Sequence, residues 1–380
     1  MRRYKTYING EWFEGTSGIV LRSVDPSNNK ELGEIVQNSK EDVEYAIESA
    51  SRSFYKTREW RDLDVQQRND KLLKIADMIE SEIDEIAKTE SMDNGKPLRE
   101  AQADVDDAVH CFRYYAGLIR TPSGQTYNVN SNFGNMHSYT VKEPVGVCAL
   151  ITPWNFPFLM SVWKIAPALA AGNSIIFKPS SETVLSALKL FEILDKCDLP
   201  KGTANLVIGS GSTVGNLLAE SKKVDMITFT GSTSVGQGIM RAAAGNVKKI
   251  GLELGGKSPN IVFADTDIDK TVEWVMMGIF LNQGEVCCAG SRLIIEKSIK
   301  DKFLKKLVDK TDKLTLGAPL DNPDMGPLIS KKHMQDVLGY IEKGKAEGAK
   351  LLCGGYKCTD DDLVNGNFIK PAIFDDCTSD

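Results

Sequence analysis

The run VGVCALI at Val145–Ile151 is the first of four short β-rich stretches, followed by SIIF at Ser174–Phe177, NLVI at Asn205–Ile208 and MITF at Met226–Phe229. Helix-like sequence, such as Leu185 to Leu194, separates them. Apolar runs of this length alternating with helical spacing predict βαβ units and a parallel sheet. Upstream, Val43, Ala46, Ile47 and Ala50 recur at helical spacing within Asp42 to Phe54. Leu72, Ile75, Ala76, Ile79, Ile83 and Ile86 do the same within Leu72 to Ala87, so two amphipathic helices are predicted. Residues 121–142, rich in Gly, Ser, Asn and Tyr, predict a protruding hairpin. PNIVF at Pro259–Phe263 opens a second α/β region, which places a domain boundary just before it.

A chain of 380 residues exceeds what one hydrophobic core sustains, so two or three domains are expected. Its 46 basic and 52 acidic residues are mixed along the chain, leaving no basic stripe to neutralise a phosphate backbone; nucleic acid is not an expected partner. No apolar run reaches membrane-spanning length and no secretory leader opens the chain, so a cytoplasmic protein without a membrane partner is expected. Eight cysteines at uneven spacing fit free thiols better than a disulfide framework. The three histidines, His110, His137 and His333, lie in no zinc-binding pattern, and no metal site is expected.

Three stretches carry chemistry. LNQGEVCCAGSR at Leu281–Arg292 holds two adjacent thiols in a small-residue turn, where backbone N–H groups at a helix start could activate a nucleophile; two inert buried cysteines are the alternative. LELGGKS at Leu252–Ser258 sets Glu253 in an apolar run, where burial would raise its pKa toward that of a general base, or where it could simply pair with Lys257. TPWNFP at Thr152–Pro157 ends the first strand, at the edge of a parallel sheet where ligands bind, and Asn155 there could donate to an oxyanion or merely cap a turn.

Together and in this order, TPWNFP, LELGGK and GEVCCAGSR resemble the aldehyde dehydrogenase superfamily. The resemblance continues in KIAPALAAG at Lys164–Gly172, FKPS at Phe177–Ser180, FTGST at Phe229–Thr233, MGPLI at Met325–Ile329 and NFIKP at Asn367–Pro371. Broad-specificity and betaine-aldehyde-type members are the nearest in kind. The resemblance implies an α/β fold with a Rossmann-type parallel-sheet cofactor domain at residues 1–120 and 143–254, a small β oligomerisation arm at 121–142, and an α/β catalytic domain at 255–380. It implies Cys287 as nucleophile, Glu253 as base and Asn155 as oxyanion donor, oxidising an aldehyde to an acid through a thiohemiacetal and a thioester. NAD or NADP is the implied cofactor, with Ile151, Thr152, Trp154, Lys178, Ser181, Gly211, Gly215, Phe229, Gly231, Ser232 and Leu254 in its groove and Gly231–Gly236 as the pyrophosphate turn. Phe156, Trp163 and Leu281 are implied to line the substrate tunnel, and a homodimer or homotetramer is implied through the arm.

Two positions depart from the pattern. Ser181 stands where NAD-preferring members carry a glutamate, which opens the groove to a 2′-phosphate and hence to NADP. Leu281 replaces an aromatic residue of the betaine-aldehyde type, so a general aliphatic or aromatic aldehyde ranks above a trimethylammonium one. Family members also continue past residue 380, so the last domain is expected to be incomplete, and the alternative to an enzyme is a shortened relative that binds cofactor or partner subunits without catalysis. Glu253 favours the hydrolytic type over relatives that reduce acyl derivatives, and a cysteine hydrolase lacks a recognisable histidine partner.

Overall fold

In the computed structural model, which describes residues 2–360 and 362–378, a seven-stranded sheet forms the centre of the molecule. Asp361, Ser379 and Asp380, all within the last expected domain, lie outside the described residues. Five strands of the sheet are parallel, in the spatial order Lys249–Leu254, Met226–Gly231, Val147–Ile151, Ser174–Lys178, Ala204–Leu206. The strand order therefore reverses between the first strand in sequence, Val147–Ile151, and the fourth, Met226–Gly231. Such a switch point opens a crevice at the carboxyl ends of the strands.

The alternation of a strand explains why both faces are covered. Cys148 and Leu150 point into one core, shared with the helices Val65–Ser81, Leu98–Ile119, Pro157–Ala170 and Leu185–Lys196. Val147, Ala149 and Ile151 point into the other, shared with the helix Lys40–Arg52 and with Leu218 and Ile239. Fully burying each of the larger ones, Val147, Leu150 and Ile151, contributes about 1.5–3 kcal/mol.

Two expectations needed adjustment. The periodic run Leu72 to Ala87 is not one helix: it belongs to Val65–Ser81 and Ile83–Asn94, which break at Glu82 (φ −111, ψ 15). The apolar stripe continues across the break, and periodicity alone does not register the change of axis. The sheet is also mixed at its edge, because the antiparallel hairpin Thr6–Ile8 and Glu11–Phe13 pairs with Ala204–Leu206. Its turn, Asn9-Gly10, has positive φ at both residues, as a tight hairpin requires.

The strands Thr126–Ser131 and Gly134–Tyr139 form a separate, fully exposed hairpin. Beyond the main sheet, Pro259–Val262 pairs in parallel with Arg292–Ile295, and Val262, Val272, Val275, Phe303 and Leu307 make a small core beneath the helices Ile268–Phe280 and Lys300–Thr311. The helix Lys331–Ala346 and the antiparallel pair Lys350–Cys353 and Ile373–Asp375 follow. Among the described residues, no helix is long and apolar enough to cross a membrane.

Candidate active site

Strand register gathers the expected residues at the carboxyl end of the sheet. Lys178, Ile151 and Phe229 lie side by side across three strands, Thr230 faces Glu253, and Gly231 faces Leu254. The first strand then runs through Thr152 into the helix Pro157–Ala170, whose first-turn proline needs no N–H partner. Asn155 and Phe156 occupy the turn between them.

Asn155 is gripped from several sides. Its Nδ2 donates to the Glu285 carbonyl at 2.7 Å, and its own carbonyl accepts from Asn282 Nδ2 at 2.7 Å and Asn94 Nδ2 at 3.4 Å. Asn94 Nδ2 also donates to the Trp154 carbonyl at 2.9 Å. An amide carries two N–H groups, so one of them remains for a ligand.

Cys287 and Cys288 are both exposed, which removes the reading of two inert buried thiols. They sit in a turn and not at a helix start, so the expected helix-end donors are replaced by those of the turn itself. Burial and the neighbouring Cys288 thiol raise the Cys287 pKa, while the backbone N–H groups of Cys288 and Cys287 oppose the rise. The Gly256 N–H donates to the Cys287 carbonyl at 3.1 Å, tying the LELGGK turn to the thiol turn. Cys287, Glu253 and Trp163 line one cavity of about 510 Å³, together with Met160, Lys164 and Thr228.

Glu253 differs from its expected setting. It is exposed within this cavity, because Lys249–Leu254 is the edge strand and its outer positions face solvent. Nor is it tied to Lys257, whose Nζ donates to the Gly256 carbonyl. The buried cation of the cavity is Lys164, which the sequence reading had not assigned a role. Its Nζ donates to Thr228 Oγ1 at 2.8 Å, and burial lowers its pKa to about 8 against the opposing charge of Glu253. A single lysine inside the apolar run PFLMSVWKIAPALA was the available signal. Of the three expected tunnel residues, only Trp163 lines this cavity; Phe156 is half-buried over Lys96, and Leu281 is exposed at the start of the thiol turn.

The residues expected in the cofactor groove lie around the end of the sheet. Thr152 Oγ1 is buried without a hydrogen-bond partner, a state that a ligand would relieve; Thr230 Oγ1 is also buried and unpartnered, but Thr230 lines the Cys287 cavity. Ser232 caps the helix Thr233–Ala243, its side chain accepting the Val235 N–H, and a helix N-terminus of this kind can receive an anion. Gly231 has no room for a Cβ, which would stand 2.5 Å from the Phe229 ring, and a Cβ at Gly236 would meet Leu254 at 2.8 Å. Gly211 borders open space, and a Cβ at Gly215 would stand 3.9 Å from Lys178 Cε. Lys178 Nζ donates to the Pro179 carbonyl at 3.0 Å, and burial lowers its pKa to about 8. Ser181 Oγ donates to the Gly209 carbonyl at 2.9 Å.

A second stretch without an assigned role, Glu90–Lys96, supports the Asn155 turn from below. Lys96 is fully buried and its Nζ lies 3.1 Å from Glu90, 2.6 Å from Asp104 and 4.3 Å from the Phe156 ring centroid. Glu90 Oε2 accepts the Phe158 N–H at 3.0 Å, and Asp93 Oδ2 accepts the Leu185 N–H at 2.9 Å. Gly95 (φ 101) ends the helix Ile83–Asn94 and packs on Gly326 so closely that a Cβ on Gly326 would overlap the Gly95 carbonyl oxygen. On the far side, Glu285 Oε1 accepts the Ile329 N–H at 3.1 Å and lies 3.5 Å from His333 Nε2, and the His333 ring packs on Trp154. Burial pushes the Glu285 pKa up to about 8 and lowers that of His333, so near neutral pH this is a contact between uncharged groups.

A doubly wound sheet with a dinucleotide crevice at its switch point, serving an exposed thiol and a carboxylate in one cavity, defines a class of cysteine-centred nicotinamide oxidoreductases. Residues 12–380 match the model of the aldehyde dehydrogenase family. The chain is 45% identical over 375 residues to betaine aldehyde dehydrogenase of Bacillus subtilis, covering 98% of this chain and 76% of that protein. It is 40% identical to the mitochondrial aldehyde dehydrogenase of Homo sapiens, covering 97% and 71%. A crystal structure of betaine aldehyde dehydrogenase from Staphylococcus aureus in complex with NAD+ superposes with a TM-score of 0.95 at 41% identity, covering 98% of this chain and 74% of that one. The chain belongs to the aldehyde dehydrogenase family, and by that membership is an oxidoreductase that oxidises aldehydes with reduction of a nicotinamide dinucleotide.

Proposed function

We propose that this chain oxidises an aldehyde to a carboxylic acid through a covalent thioester on Cys287, with Glu253 as base and Asn155 as oxyanion donor. The observation that carries the reading is the meeting of Cys287 and Glu253 in one cavity, joined by the Gly256–Cys287 hydrogen bond. The Cys287 thiolate attacks the carbonyl carbon, and the electron pair displaced onto oxygen is held by the free N–H of Asn155 and the backbone N–H of Cys287. A bound nicotinamide would supply the acceptor for the hydride that leaves this carbon. As the oxyanion collapses, Cys287 is left acylated. Glu253 then takes a proton from water, the hydroxide adds to the thioester, and the acid departs with the thiolate restored. Exposure of Glu253 suits that step, because its water must be replaced at each turnover.

Lys178, Ser181, Gly211, Gly215 and the turn Phe229–Ser232, with Ile151, Thr152, Trp154 and Leu254, are proposed to hold NAD or NADP. Trp163 is the only aromatic residue lining the cavity among the described residues, which supports a general aliphatic or aromatic aldehyde over a trimethylammonium one. Phe156 and Leu281 are proposed for the approach to it. The domain division at residues 121–142 and 255, a cytoplasmic location, and association through the exposed hairpin, where Phe133 is 97% exposed, belong to the same proposal.

The test is NADH or NADPH formation by the purified chain with a panel of aldehydes, a trimethylammonium aldehyde among them. Turnover is expected for the wild type, with a loss of at least about 10³-fold in Cys287→Ala. Undiminished turnover in Cys287→Ala refutes the thioester route. Cofactor binding without turnover in the wild type favours a non-catalytic binding role.

A further inference from the structure

The turn that leads from the helix Ile268–Phe280 to the thiols is strained. Asn282 and Gln283 both adopt left-handed backbone angles, φ 47 and φ 57, a conformation that Asn tolerates but that is strained for Gln. Two such residues in succession persist only where the surroundings over-determine them. Asn282 is fully buried and uses all its polar groups. Its N–H donates to Glu100 Oε2 at 2.8 Å, its Oδ1 accepts from Gln283 Nε2 at 3.4 Å, and its Nδ2 donates to the Asn155 carbonyl at 2.7 Å.

The same turn therefore holds Asn155 at both ends. Asn282 fixes its carbonyl, and three residues later the Glu285 carbonyl takes one N–H of its side-chain amide. With that proton committed, the plane of the amide is set, and the second N–H has one direction left.

We propose that Asn282, its backbone held by Glu100, is a positioning residue that aims the free N–H of Asn155 at the oxyanion. The inference rests on the assignment of Asn155 as oxyanion donor. Asn282 acts through Asn155 and takes no part in making or breaking bonds. An oxyanion donor works only when correctly placed, and a displacement of about 1 Å costs about 10²-fold in rate.

The test compares hydride-transfer bursts and steady-state kinetics of the full chain carrying Asn282→Ala, Asn155→Ala, both, Glu100→Leu or Glu100→Gln. Asn282→Ala is expected to lower kcat about 10- to 100-fold, with cofactor Kd and the iodoacetamide reactivity of Cys287 unchanged. The double variant is expected to be no slower than Asn155→Ala alone. Glu100→Leu is expected to reproduce the loss, and the conservative Glu100→Gln, which keeps an oxygen for the Asn282 N–H, to recover most of it. Additive losses in the double variant, or an Asn282→Ala chain with undiminished kcat, overturn the proposal. If Asn155→Ala costs nothing while the wild type turns over, the oxyanion assignment fails and takes this inference with it. A crystal structure of Asn282→Ala decides independently of turnover. The Asn155 amide is expected to have rotated off the Glu285 carbonyl, and an amide still 2.7 Å from it overturns the proposal.

Discussion

The two walls of the site are built on opposite principles. On one, Glu90, Asp93, Asn94, Lys96 and Asn282 are all buried and each is committed to a partner, Glu90, Asn94, Lys96 and Asn282 around the Asn155 turn and Asp93 at Ser23 and Leu185 behind it. On the other, Glu253 and Cys287 are exposed, on an edge strand and in an open turn. The difference separates two chemical tasks. A donor to a developing charge gains from being fixed and dry, because no reorganisation is then needed during reaction. A thiol that must meet substrate, and a base that must meet water, need access.

The contrast breaks first, if it breaks, at Lys96. Lys96→Ala strands Glu90 and Asp104 without their counter-charge and is expected to destabilise the fold by about 3–5 kcal/mol, seen as a lower urea midpoint. An unchanged midpoint would mean that the buried wall does not depend on its ions.

Glu285 sharpens the same contrast through pH. Its pKa is raised by burial from 4.5 to about 8. Between those values the folded chain keeps a proton that the unfolded chain has released, so stability falls as pH rises through the window and levels off above it. Glu285→Gln is expected to flatten that slope, so that between about pH 5 and about pH 8 the wild-type Tm drops by a few degrees more than the variant's. Parallel slopes would show that the wall tolerates a charge there.

The smallest expected effect lies in the cofactor groove. Ser181→Glu adds a carboxylate near the proposed ribose site and is expected to raise the kcat/KM ratio of NAD to NADP about tenfold. A ratio that does not move would place the 2′-position away from Ser181.

Legibility in the sequence followed the same division. Four of the five parallel strands were readable because each carries a short apolar run, whereas Lys249–Leu254 is interrupted at Gly251 and Glu253; Cys287, Glu253 and Asn155 stood out only through the resemblance that their three motifs carry together. Glu90–Lys96 was not, since ESMDNGK reads as a polar helix end, and only packing reveals that most of its polar side chains are buried. Its Gly95 and Pro97 do announce a helix terminus, and Asn9-Gly10 announces a hairpin; both signals were available. The exposure of Glu253 could not be read, because an apolar run does not say whether its strand is central or at an edge. The left-handed pair Asn282–Gln283 was equally silent, since the partners that hold it lie far away in sequence, at Glu100 and Asn155.

The contact between Gly95 and Gly326 has a consequence in time. During synthesis the first glycine leaves the ribosome some 230 residues before the second, which at ordinary elongation rates is a wait of roughly ten to fifty seconds. Throughout that interval the Gly95 turn lacks the backbone it packs against, so this part of the site cannot complete its packing before Gly326 has emerged.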